Sequence, residues 1–235
     1  MLLTREDYIK SVKFALKLWY SGKPKGDWRS TGTRRDLGDY ITDWAEGKLA
    51  EIAFGKFLER NWGVKAELDF KVYPGLRAID RGDIVAVEVG GVKYEPKVKI
   101  DVKSTKPDSL WAMVDLREFE NRRYDVYVWV KVGLPLNHLA RPIFEALKGE
   151  NLAELENKIP SLEHISTEVA GFAYREEVEG WHVFKKGDKV HDPEKPSRRL
   201  FHAKTDNKAC PLSKLRNSDE EWKELVRRIV GRSAL

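Results

Sequence analysis

Two periods of apolar and polar residues divide this chain. Tyr8, Val12, Ala15 and Leu16 recur at helical spacing behind Thr4 and Asp7, a capping-box pair, and predict an amphipathic helix over 4–20. Residues 21–38 are rich in Gly, Pro, Ser and Arg and read as a loop. A second, longer helix is predicted over 39–61, stopping before Gly63. The pattern then shifts to strands at 68–73, 83–89 and 98–103, the last two placed around Gly90-Gly91. Asp115 and Glu118 repeat the capping-box spacing at the head of a short helix over 115–123. A strand over 124–132 follows, alternating Val126, Val128, Val130 and Val132 with Tyr127, Trp129 and Lys131.

Strands, a helix and a further strand in that order imply a crossover. The expected fold is therefore α/β: a mixed β-sheet flanked by helices, with additional α+β elements toward the C-terminus. There the pattern is less regular. It predicts an acidic helix near 139–157, strands at 168–174 and 181–185, and a basic stretch over 186–217 interrupted by Pro193 and Pro196. Ser218 and Glu221 form a third capping box before a last helix over 218–230. The chain divides into an N-terminal helix and basic loop (1–38), a core (39–133) and an extension packed on that core (134–235), together one compact domain.

Composition narrows the class. The 235 residues are 41% hydrophobic and 34% charged, enough apolar content for a packed core. The longest apolar runs fall short of a membrane span, and the acids near the start do not suit a signal peptide, so a cytoplasmic protein without a membrane partner is expected. A single cysteine, Cys210, excludes an internal disulfide and a multi-cysteine zinc site. The formal charge of +5 is modest but segregated: 21–35 carries +4, 185–216 carries +6 and 145–179 carries −6. Two basic stretches around a neutral centre suit a phosphate backbone better than a small substrate. Trp28, Arg29, Arg34 and Arg35 in the first, with Arg198, Arg199, Lys204 and Lys208 in the second, are the candidate DNA contacts.

The chemistry concentrates between those stretches. In Ile100-Asp101-Val102-Lys103-Ser104-Thr105, Asp101 and Lys103 share one strand face, about 7 Å apart along the chain. If the chain reverses at Gly90-Gly91, Asp83 returns near Asp101 across a ladder, placing two carboxylates and an ammonium at one end of a hairpin. Such a group suits metal-assisted phosphoryl chemistry: carboxylates offer hard oxygen ligands to Mg²⁺, and the lysine orients or deprotonates water. Glu51 adds a third acid on the long helix, between Gly47 and Gly55, whose small size suggests something packing closely there. The plainer alternatives are a surface pair of Asp101 with Lys103, a turn role for Asp83, and a helix pairing of Glu51 with Lys48 or Lys56.

Asp83 followed by Asp101-x-Lys103, with Gly-x-x-Ala-Glu51 on the preceding helix and a helix–strand unit after it, resembles the PD-(D/E)XK nuclease superfamily, the restriction-endonuclease-like fold, over roughly 44–132. The resemblance implies a Mg²⁺-dependent phosphodiester hydrolase, with Mn²⁺ able to substitute. Asp83, Asp101 and Glu51 would be metal ligands and Lys103 the group that positions or activates water. Ser104 and Thr105, at the end of the same strand, are further candidate DNA contacts. Two points depart from the pattern: Gly82 stands where the motif has proline, and Asp80 or Asp69 are alternative first acids.

The function so implied is a sequence-specific type II restriction endonuclease acting on double-stranded DNA as a homodimer, with no small-molecule cofactor. A structure-specific repair or recombination nuclease of the Holliday-junction-resolvase type is the enzymatic alternative. A non-catalytic nucleic-acid-binding module on the same fold is the alternative from another class. The five histidines are dispersed without metal-ligand spacing.

Overall fold

A computed structural model describes residues 1–21, 37–72, 82–135, 138, 162 and 164–231. The expected helix near 139–157 and the basic loop holding Trp28, Arg29, Arg34 and Arg35 lie outside these residues, as does Asp80. The rest is a mixed α/β structure. Helix α1 (Arg5–Tyr20) begins on the full Thr4–Asp7 capping box and packs along α2 (Leu37–Trp62). The central sheet runs β1 (Leu2–Leu3), β8 (Ile165–Tyr174), β7 (Val126–Val132), β5 (Ile100–Thr105). Strands β5 and β7 are parallel, and the other pairs are antiparallel, so the predicted crossover is present. It passes through β6 (Trp111–Asp115) and α3 (Leu116–Asn121).

The alternation read in β7 is the layer structure itself. Val126, Val128, Val130 and Val132 join Ile100 and Val102 beneath α2 and the last helix, α5 (Asp219–Val230), meeting Leu49, Phe54, Trp222 and Leu225. Tyr127 and Trp129 point the other way, into a second core with Val114, Phe119, Ala173 and Leu212. That second core lies under β6, β12 (Asn207–Pro211) and β9 (His182–Phe184), a sheet of its own. Helix α4 (Arg175–Glu179) follows β8, and β10 (Lys189–His191) with β11 (Arg199–His202) form a separate two-stranded ribbon within the basic stretch.

Three strand expectations need correction. The strand placed at 68–73 is β2 (Lys65–Leu68), displaced because the Asp69 side chain caps the Lys71 N–H and turns the chain. Gly90-Gly91 does not fold Asp83 onto Asp101: it joins β3 (Ile84–Val89) to β4 (Val92–Tyr94), completing the antiparallel sheet β2–β3–β4. The chain then leaves that sheet, with the Lys97 N–H donating to the Ile229 carbonyl, and the next strand starts at Ile100, two residues later than expected.

Candidate active site

Strand β5 is an edge strand, and Asp83 closes that edge. The Asp83 N–H donates to the Ile100 carbonyl at 3.0 Å, and Asp83 Oδ2 accepts from the Val102 N–H at 2.6 Å. One backbone group and one carboxylate thus stand in for a ladder partner on either side of Asp101. The expected proximity of Asp83 and Asp101 is realised, by this route instead of a hairpin. Gly82 makes it possible: its φ is +82°, a value closed to proline, and a Cβ there would lie 2.8 Å from the Ile100 carbonyl oxygen. The departure from the motif is a requirement of this backbone.

Asp101 is buried, 6% exposed. Lys103 Nζ lies 2.7 Å from Asp101 Oδ2 as an ion pair, but that buried oxygen receives no well-aligned hydrogen bond. The same ammonium donates to Glu118 Oε2 at 2.8 Å. Burial lifts the Asp101 pKa to about 7, against the pull of Lys103 and with the push of Glu118 and Asp83. Burial would lower the Lys103 pKa, but Asp101 and Glu118 outweigh it and raise it. Lys103 therefore keeps its proton across the neutral range.

Glu118 escaped the sequence reading. Its spacing from Asp115 announced a capping box, and half of that box forms: Asp115 Oδ1 accepts from the Glu118 N–H at 3.1 Å. The Glu118 carboxylate does not return to the cap because it is drawn to Lys103 instead. The signal was a first-turn acid following the lysine-bearing strand by one short crossover.

Glu51 is 5% exposed on the sheet-facing side of α2. Its helix pairing is the one with Lys48, whose Nζ donates to both carboxylate oxygens at 2.8 and 2.7 Å and to the Asp69 carbonyl at 2.6 Å. Lys56 pairs instead with Asp7. Burial pushes the Glu51 pKa well above the usual carboxylate range, and the Asp83 and Asp101 charges push further, against Lys48. The acids on α2, at the start of β3 and on β5 therefore share one field. The glycines on either side of Glu51 differ: a Cβ at Gly55 would lie 3.6 Å from the Ala66 Cβ of β2, an ordinary contact, whereas Gly47 has open space where a Cβ would go. Asp69 enters the site through its carbonyl on Lys48, and its side chain is spent on the turn.

The remaining candidates separate. Ser104 and Thr105 are half-buried at the end of β5. Arg198 lies 3.6 Å from Asp192, and Arg199 contacts the His202 ring at 3.3 Å, both exposed on the ribbon. Lys204 is exposed beside it. Lys208 is corrected: it is 9% exposed, donates to the Glu179 carbonyl and lies 5.1 Å from the Phe119 ring centre, because β12 is the middle strand of its sheet. Trp111 holds the ribbon, its Nε1–H donating to the His191 carbonyl.

Among the described residues no three His, Cys, Asp or Glu side chains already stand in metal-ligating geometry. The donor chemistry nonetheless fits a hard divalent cation: the titratable oxygens are all carboxylates, and two of the acids are buried with raised pKa values. Comparison with protein-family models, with curated proteins and with solved structures finds no match.

Proposed function

We propose that this protein is a divalent-metal-dependent DNA endonuclease, of restriction type, whose centre is Asp83, Asp101 and Lys103. The observation that carries the reading is the burial of Asp101 against Lys103 with its pKa raised to about 7. A buried carboxylate so perturbed costs the fold stability, and such costs concentrate at reacting sites.

Asp83 and Asp101 are the oxygen donors for Mg²⁺ or Mn²⁺ in this reading, their carboxylates held in place by the Val102 N–H and by Lys103. The ion, when bound, neutralises charge developing on the phosphate and acidifies a coordinated water. Lys103, kept protonated by its two acids, donates a hydrogen bond to a phosphate oxygen and stabilises the transition-state charge; it does not serve as the base. DNA would lie against the ribbon, where Lys186, Lys189, Lys195 and Lys204 have no ionic partner among the described residues and Phe201 is 43% exposed. The engagement of Glu51 by Lys48 and of Asp101 by Lys103 favours a second reading, a binding module that has kept the fold without catalysis.

One experiment separates them. The protein is incubated with plasmid and Mg²⁺, with and without EDTA, and the products are mapped. Discrete fragments that EDTA prevents support the restriction reading, and cleavage confined to branched DNA supports a junction nuclease. Binding without cleavage of duplex, junction, flap or modified DNA leaves the binding module. Asp101→Ala and Lys103→Ala should abolish cleavage and retain binding; near-normal cleavage by either would displace the centre.

A further inference from the structure

We propose that Lys48 is a built-in cation occupying the place of a second metal ion at Glu51, so that the cluster takes one divalent cation, on Asp83 and Asp101. The inference rests on the nuclease reading above and departs from the resemblance seen in the sequence, which placed Glu51 among the metal ligands.

The geometry is saturated. An ammonium group has three N–H bonds, and Lys48 Nζ has three oxygen acceptors at 2.6 to 2.8 Å: both oxygens of Glu51 and the Asp69 carbonyl. A carboxylate gripped on both oxygens by one cation presents little to another. Lys48 is also walled in. It is 6% exposed, with Nζ 4.8 Å from the Phe14 ring centre and 5.2 Å from that of Phe70, so swinging away would strip a buried charge of its partners. Its spacing from Glu51 favours the pairing within α2, since residues three apart share a helix face.

The electrostatics point the same way. Lys48 is paired to Glu51, and Lys103 is held between Asp101 and Glu118. A divalent cation placed on Glu51 would stand against the buried Lys48 ammonium, and the two like charges would repel each other.

The test uses the full-length protein and Mn²⁺ alone as the probe, followed by calorimetry and by the electron-spin-resonance signal of free Mn²⁺, without DNA. The wild type should bind one Mn²⁺ per chain. Glu51→Gln, which keeps an oxygen for Lys48, should bind one Mn²⁺ with affinity changed by less than roughly tenfold, the lower limit for disturbing a group that supports a metal shell. Lys48→Met, checked for folding by circular dichroism, should admit a second Mn²⁺ or tighten the first. Two Mn²⁺ on the wild type, or loss of binding in Glu51→Gln, overturns the role of Lys48 and leaves the nuclease reading standing. Absence of any Mn²⁺ binding by the wild type overturns both.

Discussion

Lys103 and Glu118 are joined by a hydrogen bond of 2.8 Å, although fifteen residues and a whole strand separate them. With Asp101 on its other side, the Lys103 ammonium is held between two carboxylates, each side chain 8% exposed. One partner would leave the long lysine side chain free to pivot; two fix its position. In the proposed nuclease, Glu118 is thus a positioning residue. Glu118→Gln, which keeps the shape and removes the charge, is expected to lower the single-turnover cleavage rate by about 10²-fold, as for displacement of a reacting group by about 1 Å. Duplex affinity, measured in Ca²⁺, should stay within twofold of wild type. A parallel loss of affinity and rate would assign Glu118 to the fold alone.

Asp101 sets a cost that a substitution should recover. Its folded pKa is raised from 3.8 to about 7, so the folded chain holds this proton more tightly than the unfolded chain. The contribution is fully present below pH 3.8 and is lost as pH rises through 7. Asp101→Asn removes the ionisable group and should be the more stable protein at pH 8, by on the order of 1 kcal/mol, with a smaller gain at pH 4. Mg²⁺ should raise the melting temperature of the wild type at pH 8 and leave that of Asp101→Asn unchanged. Equal melting temperatures for the two proteins at pH 8 would mean Asp101 is no burden to the fold.

The sequence made the layers legible because β7 carries its two-sided burial in plain alternation, and the ends of α1 and α5 because their capping boxes are local. Asp101 and Lys103 were legible for the same reason: strand parity puts them on one face. The route from Asp83 to Asp101 was not, since the Gly90-Gly91 turn is spent on β4 and the real contact runs through a positive-φ glycine against another sheet. Glu118 and Lys208 misled for a shared reason. Local spacing and local charge say nothing of a partner brought in by a crossover, and that partner turned a cap residue into a lysine clamp and a supposed surface cation into a buried strut.

Gly82 tests that route. At φ +82° an L-residue is strained, and an added Cβ would meet the Ile100 carbonyl oxygen at 2.8 Å and its nitrogen at 3.2 Å, both backbone atoms that cannot swing aside. Gly82→Ala is expected to cost about 1–3 kcal/mol in urea denaturation. It should also reduce cleavage, because the shift needed to relieve the clash pulls Asp83 from Val102. Gly82→Pro restores the motif's proline, yet should be worse, because its ring fixes φ near −65°. A Gly82→Pro protein of normal stability and activity would show that Asp83 is held some other way.

His138 should give the fold an acid sensitivity opposite in sign to that of Asp101. Its ring is 4% exposed, with Nδ1 2.9 Å from the Tyr8 hydroxyl of α1 and Nε2 3.0 Å from the Thr42 hydroxyl of α2. Neither neighbour carries a charge that would welcome an imidazolium, and burial lowers the pKa from 6.5 to about 4. The unfolded chain therefore binds this proton more readily than the folded one. Stability from this group is present above pH 6.5 and lost as pH falls through 4, the reverse of Asp101 over much of the same range. Glu51, whose pKa burial also raises, slopes the same way as Asp101, so His138 offsets only part of their combined loss as pH rises from 4 to 7. His138→Gln, which retains hydrogen-bonding capacity without titrating, should steepen that loss and grow more stable toward pH 4. Asp101→Asn should flatten it, leaving His138 set against Glu51. Urea midpoints across this range should therefore fall more steeply with pH in His138→Gln than in the wild type, and less steeply in Asp101→Asn; a His138→Gln curve parallel to that of the wild type would remove His138 from the account.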